Sequence, residues 1–202
     1  MNCEFSKCKG SLIRFMELNV RPQFAAIVVM AALANPGATL GQALKVTPKK
    51  ISPDVGTGTL SVSAAPSTVN FNLIPGKSAT GNSPVSITTT WSGSTLGSTM
   101  SLYSYFASPT AALSAASGSA VIPSSAVSGQ MTTGLPSSFT PFTQTNPVGS
   151  AAGGLKLFTQ VVSGSGAGSR TDALSLTIDL TALPELPAGT YTGTLIIQAQ
   201  VL

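Results

Sequence analysis

The sequence contains no histidine, and only two of its 202 residues are cysteine. Without histidine the chain lacks the commonest general base near neutral pH and the commonest metal ligand. Both cysteines, Cys3 and Cys8, lie at the extreme N-terminus, so no internal disulfide framework or thiolate site is expected further along. Charge is scarce too: Asp, Glu, Lys and Arg make up 8% of the chain, roughly a third of the usual share. Ten cations against six carboxylates give a net charge of +4 and a pI near 9.3, too few basic groups to track a nucleic-acid backbone. The 43% hydrophobic content, in a chain of this length, still supplies a core, which excludes a disordered polyelectrolyte.

What is present first is a leader. Residues 1–23 carry Lys7, Lys9, Arg14 and Arg21, and the apolar run Phe24–Leu33 follows. Pro36-Gly37 then breaks any helix, and small residues lead to Gly41-Gln42-Ala43. A basic region, about ten apolar residues and a small-x-small site are the layout of a secretory signal peptide. The apolar run is too short to span a bilayer, which takes roughly 20 residues. Cleavage is expected after Ala43, with Ala34 as the alternative, and Met16 is an alternative start. The expected division is therefore a signal peptide over 1–43, a basic N-terminal arm over 44–58 and one domain over 59–202. Cleavage removes both cysteines. It leaves Lys45, Lys49, Lys50, Lys77, Lys156 and Arg170 against Asp54, Asp172, Asp179 and Glu185, a net +2 with half of the cations in the arm.

Period-two alternation dominates the remainder. Leu60, Val62 and Ala64 alternate, then Val69, Phe71 and Leu73, with Pro66-Ser67 between the two sets. Val85, Ile87, Thr89 and Trp91 form the next strand. In Met100–Phe106, Leu102, Ser104 and Phe106 share one face while Tyr103 and Tyr105 share the other, as in a strand covered on both sides. Leu174, Leu176, Ile178 and Leu180 alternate with Ser175, Thr177 and Asp179, and Tyr191–Val201 forms the longest expected strand. Residues 107–154, rich in Ser, Thr, Ala, Gly and Pro, read as two short edge strands and long surface loops, with one helical turn conceivable at Ala111–Ala116. Leu155 and Leu157 resume the core, and Ser163–Arg170 reads as a flexible hairpin. The expected class is an all-β antiparallel sandwich or barrel.

Few constellations carry chemistry. Gly164-Ser-Gly-Ala-Gly168 with Arg170 matches neither the dinucleotide nor the Walker spacing and precedes a strand. Serine without histidine cannot build a triad. Asp179 points outward, Glu185 sits in a proline-bracketed turn and Asp172 reads as a local ion pair with Arg170. No acidic cluster suits calcium. No catalytic residue, cofactor site or metal site is therefore assigned, and an enzyme is not expected. Trp91, Tyr103 and Tyr105, on strands expected to be adjacent, are the residues a carbohydrate-binding module would use for stacking, against a core role as the ordinary alternative.

The segment Leu183-Pro-Glu-Leu-Pro-Ala-Gly-Thr-Tyr-Thr-Gly-Thr-Leu195 resembles the L-P-A-G-x-Y-x-G-x-L signature that opens a late strand in bacterial immunoglobulin-like domains and in fimbrial subunits of the CFA/I and α-fimbria type. The resemblance covers about 20 residues. It implies an immunoglobulin-like sandwich, in which the Tyr191 hydroxyl bonds back across the preceding turn. In that fold one more strand should follow, so the Tyr191 strand is either the final strand or borders an open groove that takes another chain's strand. Leu44, Val46 and Ile51 of the arm offer a poor donor, since Pro48 and Pro53 interrupt it. The resulting expectation is an exported, non-catalytic structural or cell-surface protein of fimbrial-subunit type, secreted, periplasmic or surface-bound. It would pair with copies of itself or other subunits by strand addition, with no nucleic acid and no membrane span in the mature chain. The alternative is an extracellular carbohydrate- or surface-binding module.

Overall fold

The computed structural model describes residues 40–51, 59–92, 98–144, 153–162 and 167–201. The expected leader as far as residue 39, the second half of the arm at 52–58 and the hairpin tip at 163–166 lie outside the described residues. Within them the fold is an all-β sandwich of two sheets. One sheet is built from β11 (Gly154–Val162), β6 (Ser98–Phe106), β13 (Tyr191–Val201), β1 (Leu40–Ile51) and β3 (Thr68–Leu73), in that order. Short strands β7 (Leu113–Ala115) and β8 (Val121–Ile122) extend it, β7 pairing with the start of β13. The second sheet runs β10 (Thr140–Pro141), β9 (Val127–Met131), β12 (Gly168–Asp179), β5 (Val85–Ser92) and β2 (Thr59–Ala65), with β4 (Ser78–Thr80) beside the end of β12.

The alternating patterns locate the core between the sheets. Leu174, Leu176 and Ile178 from β12 face inward with Val85 and Ile87 from β5, all nearly inaccessible to solvent. Leu102 and Phe106 from β6 meet them with Leu195, Ile197 and Ala199 from β13. The Phe106 and Phe142 rings pack edge to face with centroids 5.2 Å apart. Thr, Ser and Asp occupy the alternate positions of β12 and β5, and three cross-strand hydroxyl pairs bond there: Thr59 with Ser92 (2.6 Å), Ser61 with Thr90 (2.7 Å) and Thr88 with Thr171 (3.0 Å).

The middle of the chain differs from expectation. Instead of two edge strands, 107–144 provides four short strands and a 3-10 turn at Ser124–Ala126, and β9 is internal, lying between β10 and β12. Its core face, Val127, Gly129 and Met131, is interrupted by glycine because Leu155, Leu174 and Phe142 already fill the space a Cβ would need. Three apolar positions with a glycine in the middle do not read as a strand. The conceivable helical turn at Ala111–Ala116 is β7, with Leu113 fully buried. The backbone of Ala112 passes so close to Gly193 that any side chain there would collide with the Ala112 carbonyl.

The larger difference concerns β1. The segment from Leu40 through the first half of the expected arm is a strand in the interior of a sheet. It pairs parallel with β13 from Gln42↔Tyr191 to Ile51↔Gln200, and antiparallel with β3 from Leu40↔Leu73 to Lys45↔Thr68. This is the one parallel pairing among the described strands; all others are antiparallel.

Candidate functional site

The Tyr191 strand has a neighbour on each side, β6 and β1. No groove is left open beside it among the described residues; the chain's own N-terminal strand fills it. Leu44 and Val46 supply the filling, 0% and 3% exposed, and both belong to the core cluster. Gln42 is buried as well. Its Nε2 reaches toward the Gly189 carbonyl oxygen at a long 3.5 Å, while its Oε1 has no protein partner. Lys45 and Lys49 alternate to the exposed side, where their charges need no compensation.

Pro48 does not interrupt this strand, and the register shows why. The Val46 N–H donates to the Ser67 carbonyl oxygen at 2.9 Å, so amides at even positions point toward β3. The β3 pairing ends at Lys45↔Thr68, and the chain turns at Pro66-Ser67 into the other sheet. The ring nitrogen of Pro48 therefore faces a stretch with no neighbouring strand, and the lost donor costs no ladder bond. Thr47 and Lys49, with amides on the other side, continue the ladder to β13. The boundary at Ala43 falls inside β1. The residues from Leu44 onward keep eight of the ten register pairs with β13 but only two of the six with β3.

Two further features bracket the groove. At its entry, the Tyr191 ring is fully buried and its hydroxyl donates to the Pro187 carbonyl oxygen at 2.9 Å, closing the Pro187-Ala-Gly189 turn. Burial pushes the Tyr191 phenol above its usual pKa. Along β13, alternation aims Gln198 and Gln200 away from the core, yet both are buried. The Tyr105 hydroxyl donates to Gln198 Oε1 at 3.0 Å, and Gln198 Nε2 donates to Gln200 Oε1 at 3.3 Å.

The aromatic residues considered for sugar stacking do not share a surface. Trp91 is on β5 and Tyr103 and Tyr105 are on β6; these strands are consecutive in sequence but belong to opposite sheets. Trp91 is half-buried, packs on the core and rests directly on Gly168, where a side chain would clash with its indole. Tyr105 is buried and Tyr103 half-buried.

Arg170 and Asp172 form more than a surface pair. The Asp172 side chain is 1% exposed. It accepts from Arg170 Nε (2.6 Å), Arg170 Nη2 (2.8 Å) and the Thr133 hydroxyl (2.7 Å). Arg170 Nη2 also donates to the Thr133 carbonyl oxygen at 2.8 Å, and the guanidinium carbon lies 4.6 Å from the centre of the Phe158 ring in the facing sheet. The cluster clamps the 132–136 loop to β12 and caps one end of the sandwich. Sequence reasoning saw the ion pair but missed its burial, because Thr133 lies 37 residues from Arg170 and nothing local marks it. Asp179 is exposed, accepting from the Thr181 backbone N–H (2.9 Å) and the Ser78 hydroxyl (3.0 Å), which hold its carboxyl below the usual range. Glu185 is exposed.

Among the described residues no three His, Cys, Asp or Glu side chains gather as a metal site would require, and no helix is long and apolar enough to cross a membrane. No known protein family matches the chain, and no curated protein matches it significantly.

Proposed function

We propose that this is an exported, non-catalytic structural protein of the bacterial cell surface or periplasm, a subunit of fimbrial type that joins copies of itself by exchanging β1. The observation that carries the reading is the position of β1. It is joined to the rest of the described chain at one end only, yet it lies inside a sheet whose flanking strands, β13 and β3, have no pairing with each other. Withdrawing it breaks no other strand and uncovers a groove lined by Val69, Phe71 and Leu195, which a second copy's β1 fills equally well. The basic-apolar leader and the L-P-A-G-T-Y-T-G-T-L resemblance support export and subunit character, and the hydroxyl-covered outer face of β12, β5 and β2 suits a surface scaffold. The alternative, a carbohydrate-binding module, loses the shared platform on which it rested, since Trp91 and Tyr103 lie on opposite sheets.

The test is a tether. Val46 and Leu195 are register partners, so Val46→Cys with Leu195→Cys, in the processed chain that carries no other cysteine, ties β1 into its own sheet. Light scattering after size exclusion should find the native protein forming higher-order species, the oxidised variant unable to grow into them, and assembly restored on reduction. Equal assembly of the oxidised and native proteins would overturn strand exchange, as would a native protein that stays monomeric at all concentrations.

A further inference from the structure

A second surface, separated from β1 by β6 and β13 in the same sheet, is built for pairing. The edge strand β11 is bonded to β6 on one side. On its other side, the first half is covered: Gly154 pairs with Gln144, the Lys156 N–H donates to Gln144 Oε1 at 2.8 Å, and the Leu157 carbonyl oxygen accepts from the Leu135 N–H at 3.2 Å. Beyond Leu157, no described residue bonds to the outer edge of Phe158–Val162. This half-strand has no proline, no charge and no covering loop among the described residues, and the one irregularity in the pairing of β11 with β6 lies before it, between Lys156 and Phe158. Val161 is 64% exposed on it, and Leu135, held at its lip by the bond to Leu157, is 69% exposed, the two most exposed large apolar side chains described. A free backbone edge beside two exposed aliphatic side chains is a strand-docking surface.

The sequence of the edge selects its occupant. We propose that Phe158–Val162 pairs antiparallel with the same segment of a second copy, about a two-fold axis at Gln160. That register sets Phe158 against the second copy's Val162, Thr159 against its Val161, and Gln160 against itself. Every opposed pair is apolar, β-branched or an amide, and no like charges meet, so the edge is complementary to itself as an isologous contact requires. The contact joins the two β11–β6–β13–β1–β3 sheets into one continuous sheet. It is small, and it therefore serves as a lateral contact between subunits.

The experiment uses single cysteines in the processed chain, with Cys3 and Cys8 replaced by serine if the leader is retained. Opposed residues of an antiparallel pair have Cα atoms about 4.5–5.5 Å apart, within the range a disulfide spans. Gln160→Cys should therefore form a covalent dimer under mild oxidation, whereas Thr192→Cys, on β13 and more exposed than the half-buried Gln160, should not. Val161→Lys puts a charge into the contact and should weaken dimerisation, read by sedimentation, by roughly tenfold. Both effects should persist in the oxidised Val46→Cys, Leu195→Cys protein, which separates this contact from β1 exchange. A Gln160→Cys protein that remains monomeric under oxidation would overturn the proposal, and so would a Val161→Lys protein that self-associates like the native one.

Discussion

Strands β1 and β12 are both twelve residues long, and each lies in the interior of one of the two sheets. Strand β12 has antiparallel neighbours throughout and an unbroken inward row of Asp172, Leu174, Leu176 and Ile178. Strand β1 has a parallel neighbour along most of its length and loses its second neighbour after Lys45. It buries Leu44 and Val46, then runs into Pro48 and Lys49. Each is paired along most of one edge and about half of the other, β12 meeting β9 only from Leu174 to Ile178 and β1 meeting β3 only from Leu40 to Lys45; what separates them is that the long pairing of β1 is the parallel one. On the proposed exchange, the same secondary structure serves two purposes: β12 organises the core, and β1 completes it and is exchanged between copies.

A single buried charge breaks this comparison most sharply. Leu176→Asp should cost more than about 4 kcal/mol and abolish cooperative folding, because β12 touches nearly every part of its sheet. Leu44→Asp places the same charge in β1, and limited proteolysis should then cut the 40–58 region while β12 and its neighbours stay protected. Equal loss of the whole fold in both variants would mean that β1 is as integral as β12.

The clamp on β12 comes next in size. Asp172→Ala strips Arg170 and Thr133 of their acceptor and should destabilise by roughly 2 kcal/mol in denaturant unfolding, a figure tempered by the partial exposure of Arg170. Tyr191→Phe removes only the hydroxyl bond to Pro187 and should cost about 1 kcal/mol. Two titrations follow from the same geometry. Tyr191 has a raised pKa in the folded state, so its contribution is intact below the unfolded value near 10 and should be lost as pH rises through the folded one. Asp179 has a lowered pKa, so its contribution is present above about 4 and should disappear as pH falls through the folded value. Thermal unfolding across pH checks both, and Tyr191→Phe should flatten the alkaline side. The smallest effect is expected at Pro48→Ala, within about 0.5 kcal/mol, since the restored amide finds no acceptor. A large gain in stability there would contradict the register argument.

These strands also show what the sequence can disclose. Strand β12 was legible from Leu174 on, where its residues meet one of two environments in strict turn; Gly168–Arg170, read as part of a flexible hairpin, are instead the start of the strand and pair with β5. The strands at Leu60–Ala64, Val69–Leu73, Val85–Trp91 and Met100–Phe106 and the Tyr191 strand were legible for the same reason, while the three-residue β4 was too short to show a pattern and the hydroxyl bond of Tyr191 was implied by the resemblance of its turn. Strand β1 was hidden by its leader-like start and by Pro48, whose harmlessness depends on where β3 ends, a fact of the fold and not of local sequence. Strand β9 was hidden by Gly129, a residue chosen for the bulk of Leu155, Leu174 and Phe142. The stacking platform, weighed as the alternative to a core role, fails for a related reason: periodicity locates Trp91 and Tyr103 on strands but does not say that consecutive strands belong to different sheets.

Native-state hydrogen exchange on the monomeric protein tests the central claim most directly, because it reads the opening free energy of each strand separately. The β1 amides bonded to β13, together with those of β3 that face β1, should exchange through an opening distinctly cheaper than the one that exposes β12. If β1 and β12 exchange together, at the cost of global unfolding, then β1 is a fixed part of the core and not a separable strand.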